Sequence, residues 1–250
     1  GSGLVGSEMC IRDSMYTDYT IMTAHRPLVR EVNAVFDFIE KPYTPVNFKE
    51  LLVSPNDMRK RLITLINKEI KNKEQGKEAY ILAKVNHITD RALIEKLYEA
   101  STAGVQVELV VRGNCSLVTG IAGISENIHI NGIIDRYLEH SRIFIFANGG
   151  EEKYYIGSAD WMPRNLDNRI EVLAPVYDKE IQADLKRIVC YGYRDTAKGR
   201  IVDGTGENRP WENRPSTLCK DFTPALAEAE TATVVFRSQE ELYRKYKNTL

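Results

Sequence analysis

Asp135–Val172, DRYLEHSRIFIFANGGEEKYYIGSADWMPRNLDNRIEV, is the stretch that decides the fold. Within it RIFIFA (142–147) and YYIGS (154–158) are short apolar runs rich in β-branched and aromatic residues. Between them lies NGGEEK, whose Asn148-Gly149 pair favours the positive φ angles of a tight turn. The two runs therefore read as an antiparallel hairpin. His140 stands just before the first strand and Arg142 two residues on. Alternate side chains of an extended segment project from one face, so this spacing sets an imidazole beside a guanidinium. Downstream, GSAD (157–160) ends the second strand in small residues, which lets backbone N–H groups approach a ligand. Trp161 reads equally as core or as the wall of a site.

Outward from the hairpin, the pattern becomes one of alternating strands and helices. AYILAKV (79–85) is a buried strand, Asp90 to Ala103 a helix with Leu93, Ile94, Leu97 and Tyr98 inward, and VQVELVV (105–111) the next strand. Strands separated by single helices imply right-handed crossovers and a parallel or mixed sheet. A glycine-bearing loop follows Arg112 and leads to the strand IHINGII. Further upstream, LLVS (51–54) is a strand and Pro55 to Lys73 a helix with an apolar stripe. Pro27 to Glu40 is another helix, closed by Pro42 and Pro45, and KPYTPVNFKE is a connector and the best domain boundary. Met15 to Ala24 alternates like a strand. Beyond the hairpin, RIEVLAPV (169–176) is a strand, Lys179 to Tyr191 a helix, Gly199 to Glu228 loop, and Phe236 to Tyr246 a charged amphipathic helix.

Composition narrows the function classes. The chain has 250 residues, 43% hydrophobic and 28% charged, ordinary for a globular protein of one large or two small domains. Lys and Arg number 34 against 35 Asp and Glu, a net charge of −1, where a non-specific nucleic-acid coat protein would carry a basic excess. No apolar run is long enough to span a bilayer. Cys10, Cys115, Cys190 and Cys219 are scattered without metal-ligand spacing, so free thiols in a reducing cytoplasm are expected. The opening GSGLVGSEMCIRDS (1–14) is no signal peptide and reads as a foreign leader, which leaves the chain as a piece of something longer.

The hairpin stretch resembles the half-site of the phospholipase D superfamily. There a histidine and a basic residue two positions later precede a strand, and G-S-x-N-W and N-x-x-E elements follow. His140, Arg142, Gly157-Ser158, Trp161, Asn168 and Glu171 match; Arg142 stands where that superfamily has Lys, and Asp160 where it often has Asn. A closer resemblance covers nearly all of Met15 to Leu250. YTDYTIMTA, LLVSP, VRGNCSLVTGIAGISENI, DRYLEHSRIFIFANGG and SADWMPRNLDNRIEV look like the C-terminal part of bacterial polyphosphate kinases built on paired phospholipase-D-like domains.

That resemblance implies an α/β fold, a phospholipase-D-like mixed sheet flanked by helices, with a C-terminal helix. It implies the end of a first catalytic domain at 15–45, a second at 46–212, and a C-terminal loop and helix at 213–250. It implies reversible transfer of the terminal phosphate of ATP, through a phosphohistidine, to inorganic polyphosphate. The phosphorylated histidine and the Mg2+ site belong to the preceding domain, so metal ligands are expected upstream and this chain alone is expected to be inactive. Tyr16 matches the nucleotide-contacting tyrosine, Arg112 the arginine at the phosphates and His140 the second active-site histidine, with Arg112 and His140 catalytic and all three binding ATP or ADP. Lys84, Arg136, Arg142, Arg164 and Arg169, at strand ends or in loops, suit a polyphosphate path, and Ser158 and Asp160 a supporting loop. His87 and His129 read as structural or exposed. A homo-oligomer, no specific nucleic acid, and a cytoplasmic location with peripheral membrane association as an option complete the expectation. The alternatives are a single-motif phospholipase-D-like phosphodiesterase that completes its site by dimerising, and a non-enzymatic polyanion-binding module.

Overall fold

Continuous apolar runs form the middle of the sheet, as burial on both faces demands. The computed structural model describes residues 16–43, 45–211, 216, 218–220 and 235–247, so the leader at 1–14 lies outside it. In chain order the strands are β1 (Tyr16–Thr17), β2 (Leu52–Ser54), β3 (Tyr80–Val85), β4 (Gln106–Val111), β5 (Ile128–Ile133), β6 (Leu138–Glu139), β7 (Arg142–Phe146), β8 (Lys153–Gly157), β9 (Glu171–Val176) and β10 (Gly199–Ile201). The helices are α1 (Arg26–Glu40), α2 (Met58–Glu74), α3 (Arg91–Thr102), α4 (Lys179–Tyr193) and α5 (Ser238–Lys247).

Eight strands make one mixed sheet in the order β10-β5-β4-β3-β7-β8-β9-β2. β3, β4 and β5 are parallel to one another, and β7, β8, β9 and β2 continue from β3 in antiparallel steps. Alternation along each strand sorts its side chains into two layers. Ile81, Ala83 and Val85 of β3 and Phe144 and Phe146 of β7 pack under α2 and α3, with Leu62, Ile66, Leu93 and Leu97. Tyr80 and Leu82, Ile143 and Ile145 pack on the other face under α4, with Leu185, Ile188 and Val189. Local chemistry starts the helices: Asp90 accepts the N–H of Leu93 ahead of α3, and Asp178 those of Glu180 and Ile181 ahead of α4. A third cluster seats α1 on the connector and on β2 through Leu28, Val35, Phe38, Phe48, Leu51 and Val53. There the Glu31 carboxylate takes the N–H groups of Lys49, Glu50 and Leu51. Among the described residues no helix is long and apolar enough to cross a membrane.

Three sequence expectations change. The alternating 15–24 segment is strand only at Tyr16–Thr17, because its parallel partner β6 is itself two residues long. The 199–228 loop begins as β10, which pairs with β5 and forms the edge of the sheet; an added Cβ at Gly199 would lie 2.0 Å from the Asp195 carbonyl, so glycine permits that approach. Cys190 on α4 and Cys219 form a disulfide with Cα atoms 5.2 Å apart, joining residues that the sequence separates by 29 positions. Cys115 is free, while Cys10, and residues 221–228 of the expected loop, lie outside the described residues.

Two features of this sheet are open to direct test. An added Cβ at Gly157 would stand 1.9 Å from the Val172 carbonyl oxygen and 2.9 Å from the Leu173 Cα, so the small residue at the end of β8 serves strand pairing with β9. Gly157→Ala is expected to cost about 2 kcal/mol or more in denaturant unfolding; a neutral result would overturn this account. Burial pushes the Glu108 carboxyl on β4 up to about 7, although the Ser216 hydroxyl donates to it and pulls the other way. Glu69, buried under the β7–β8 turn, is likewise pushed up to about 7. The folded state therefore holds more protons than the unfolded chain between the ordinary carboxylate range and about pH 7, and stability falls as pH rises through that window. Glu108→Gln is expected to raise the melting temperature by about 2–4 °C at pH 8 and to lose that advantage near pH 4.5. An advantage largest at acid pH would refute the assignment.

Candidate functional site

The antiparallel turn from β3 to β7 creates the site. Lys84 pairs in register with Ile143, so β7 begins where β3 ends, and Arg142 emerges beside the last residues of β3. β4 runs parallel to β3 and ends at the same edge, delivering Arg112. β8 returns antiparallel to β7 and delivers Asp160 just past its end. Four strand ends thus meet outside the carboxyl ends of the parallel strands, the customary place for a ligand in an open α/β sheet.

Asp160, 3% exposed, binds these ends together. Its carboxylate accepts the backbone N–H of Asn86 at 2.8 Å and of His87 at 3.3 Å, and the Arg142 guanidinium at 3.3 Å from Nε and 3.1 Å from Nη2. Backbone bonds lace the same loops: Gly113 N–H to the Asn86 carbonyl, Ile88 N–H to that of Asn114, Trp161 N–H to that of His87, and Thr89 and Asp90 N–H to that of Trp161. Trp161 itself is fully buried and stacked on Phe144 with ring centroids 5.4 Å apart, so it is core.

His140 is held from two sides. Its Nδ1 lies 2.8 Å from the Asp18 carboxylate, and Arg142 Nη1 lies 3.1 Å from its Nε2. A carboxylate only accepts, so Nδ1 carries the hydrogen that faces Asp18, while Arg142 Nη1 lies over the ring, also 3.4 Å from Nδ1. Tyr16 packs edge-on against the imidazole at 4.8 Å. Arg112 donates from Nε to the Asn86 Oδ1 at 2.9 Å, an anchor that leaves its terminal N–H groups unspent among the described residues. Burial lowers the Arg112 pKa, and the neighbouring charge of Arg142 lowers it further, against the opposing pull of Asp160, Tyr16 and Glu139. Like charges brought together and partly dried favour a bound anion.

Beneath this cluster lies a second, closed one. Lys84, 2% exposed, forms an ion pair with Glu139 at 2.9 Å and donates to the Ser141 hydroxyl at 2.5 Å. Glu139 also accepts from Gln239 at 2.6 Å and Thr17 at 3.0 Å. Burial works against its ionised form, but Lys84 and these donors outweigh it and hold the carboxyl below its usual range. Gln239 on α5 further bonds the N–H and carbonyl of Tyr137 at 3.0 and 2.8 Å, and Arg237 grips Asp135 through two nitrogens. The C-terminal helix thereby fixes the segment that enters His140.

The residues singled out from the sequence divide accordingly. Tyr16, Arg112, His140, Arg142 and Asp160 come together, and Arg164, exposed on the turn after Trp161, is close enough for its charge to act on His87. Lys84 is instead enclosed by its partners. Arg136 is exposed over the ring of Tyr137, and Arg169 is exposed 4.0 Å from Glu171. Ser158 extends the β8–β9 pairing through its N–H and hydroxyl to Val172. Sequence reasoning passed over Asp18, Asn86, Glu139 and Gln239, and read His87 as structural or exposed. The one signal for Asn86 and His87 was their place at the carboxyl end of a buried strand. Among the described residues no three His, Cys, Asp or Glu side chains gather to hold a metal ion.

Three comparisons agree with this architecture. The family model of the polyphosphate kinase C-terminal domain 2 matches residues 51–220. The polyphosphate kinase of Escherichia coli strain K12 is 46% identical over 222 residues, which cover 86% of this chain and 32% of that protein. That of Vibrio vulnificus strain YJ016 is 48% identical over 189 residues, 76% of this chain and 27% of that protein. The crystal structure of polyphosphate kinase from Porphyromonas gingivalis superposes with a TM-score of 0.78 at 37% identity, covering 91% of this chain and 32% of that one. The chain therefore spans about a third of the length of these relatives. With the family model matching well over half of its residues, the chain belongs to the polyphosphate kinase family and represents its C-terminal portion.

Proposed function

We propose that this chain forms the C-terminal half of a phosphotransfer site that moves the terminal phosphate of ATP reversibly to inorganic polyphosphate, and that the phosphorylated histidine comes from polypeptide outside the sequence described here. The observation that carries the second part is the state of the two histidines at the site. Arg142 Nη1 lies over the His140 ring, 3.1 Å from Nε2 and 3.4 Å from Nδ1, and the His87 Nδ1 lone pair accepts the Asn114 N–H at 2.9 Å. A cation over one ring and a spent lone pair on the other suit supporting residues rather than a nucleophile.

In this reading Arg112 and Arg142 bind the phosphoryl oxygens, and Tyr16 supports His140 and the nucleotide. Charge that develops on those oxygens during transfer is met by guanidinium groups already fixed by Asn86 and Asp160. When an incoming phosphate draws Arg142 away, His140 Nε2 becomes free to take up a proton and to return it to the departing oxygen. Asp18 steadies the imidazole throughout. Mg2+, when bound with the nucleotide, supplies further neutralisation of phosphate charge; no residue described here is assigned to it. Assembly with further copies and a cytoplasmic site of action with peripheral membrane contact are part of the proposal.

Terminally labelled ATP tests the division of labour. The 250-residue chain alone is expected to acquire no phosphohistidine and to make no polyphosphate. Label on His140 would refute the proposal. In protein that also carries the remainder of the family's length, His140→Ala is expected to lower kcat about 100-fold or more. Asp18→Asn should lower it about tenfold with little change in the KM for ATP, and a rise in KM alone would deny Asp18 its orienting role.

A further inference from the structure

His87 occupies a position that no sequence motif marks. It follows β3 directly, and its ring is seated against the β4 loop: an added Cβ at Gly113 would lie 2.4 Å from its Cε1 and 2.6 Å from its Nδ1. Glycine beside Arg112 is therefore what admits the imidazole. The backbone fixes it further, since the Asp160 carboxylate accepts its N–H and its carbonyl accepts that of Trp161. Asn114 N–H can only donate, so Nδ1 is the bare nitrogen and the ring hydrogen resides on Nε2. Nε2–H has no partner among the described residues.

The surroundings favour this form. Burial lowers the His87 pKa; Asp160 opposes that, and Arg112, Arg164 and Arg142 reinforce it. These are the charged groups that face the ring from the ends of β4, β7 and β8 and from the turn beyond Trp161. The adjacent Asn86, 1% exposed, adds a buried side-chain Nδ2 donor that also lacks a partner. Three guanidiniums and two unspent neutral donors at one sheet edge exceed what Asp160 can satisfy.

We propose that His87 is a phosphate-binding residue: its Nε2–H donates to a non-bridging oxygen of an oligophosphate chain gripped by Arg112 and Arg142, on the side where Arg164 lies. The inference rests on the phosphotransfer reading and extends it by one subsite. A donor without charge suits this position, because a fourth cation among the three guanidiniums would be repelled in the empty site. It also gives the phosphate chain a directional contact, where arginines alone would allow it to slide.

Tripolyphosphate is the probe. In histidine 15N NMR of the unmodified chain, His87 should show a bare Nδ1 and a protonated Nε2 at pH 7, and the Nε2 resonance should move on titration with tripolyphosphate. By calorimetry, His87→Leu should weaken tripolyphosphate binding about tenfold, the worth of one hydrogen bond to a charged acceptor. Arg112→Ala should weaken it at least as much. A proton on Nδ1, or an Nε2 signal unmoved at saturation, overturns the proposal even if His87→Leu does not fold. Loss of binding in Arg112→Ala with none in His87→Leu removes His87 alone and leaves the phosphate site standing. Absence of binding by the unmodified chain, or binding indifferent to both substitutions, overturns His87 and the phosphotransfer reading together.

Discussion

The Asp160 carboxylate is the constraint on which this site depends. It takes two backbone N–H groups from the end of β3 and the Arg142 guanidinium from the start of β7, while its own backbone is carried by β8. Without it, Arg142 would lie unpaired beside Arg112 in a half-dry cleft, and the loop bearing Asn86 and His87 would lose its anchor. One buried carboxylate against several guanidiniums leaves the cleft positive, which is how a chain of net charge −1 can present a cationic face. The neutralising carboxylates elsewhere are spent locally: Glu139 on Lys84, Asp135 on Arg237, Asp90 and Asp167 on Arg59.

Around that carboxylate, two histidines are set in opposite tautomers by partners of opposite kind. Asp18 draws the hydrogen of His140 to Nδ1, whereas the Asn114 N–H leaves that of His87 on Nε2. In the proposed function the same side chain is thus given two tasks by environment alone, a proton carrier at one end and a fixed donor at the other. Loops that interlock through five backbone hydrogen bonds hold the His87 ring, whereas the His140 ring is held by the side chains of Asp18 and Arg142. Preorganisation of this kind matters where charge shifts on a ligand and little covalent work falls to the protein.

Much of this was legible in the sequence. The hairpin, the β3–α3–β4 crossover and the pairing of His140 with Arg142 follow from periodicity and from two-residue spacing, which are local properties. Lys84 shows where local reading fails: a lysine at a strand end looks solvent-facing, but its alternation places it under α4, where Glu139 and Ser141 were waiting from 55 and more residues away. Gly157 was read as room for a ligand, yet the crowding comes from β9, a partner that no spacing rule reveals. Asp18 was hidden for the same reason: its importance lies in touching His140, 122 residues on. Cys190 and Cys219 likewise meet only because α4 and the 218–220 segment are folded onto the same face.

Long-range contacts also explain why the two ends of the chain belong to one site. β1 pairs with β6, bringing Thr17 to Glu139 and Asp18 to His140. From the other end α5, capped by Asp195 at Ser238, lays Gln239 across Tyr137 and Glu139. The short β6 segment is therefore clamped between elements more than 200 residues apart in sequence, directly before the histidine it must aim. Neither clamp could be made by the strands of the main sheet, whose edge groups at this end are already committed to Asp160 and to the loop network. A site assembled from the free ends of one sheet thus borrows its orientation from peripheral segments with little core of their own, and such segments are the ones whose position the proposed phosphate ligand would most readily reinforce.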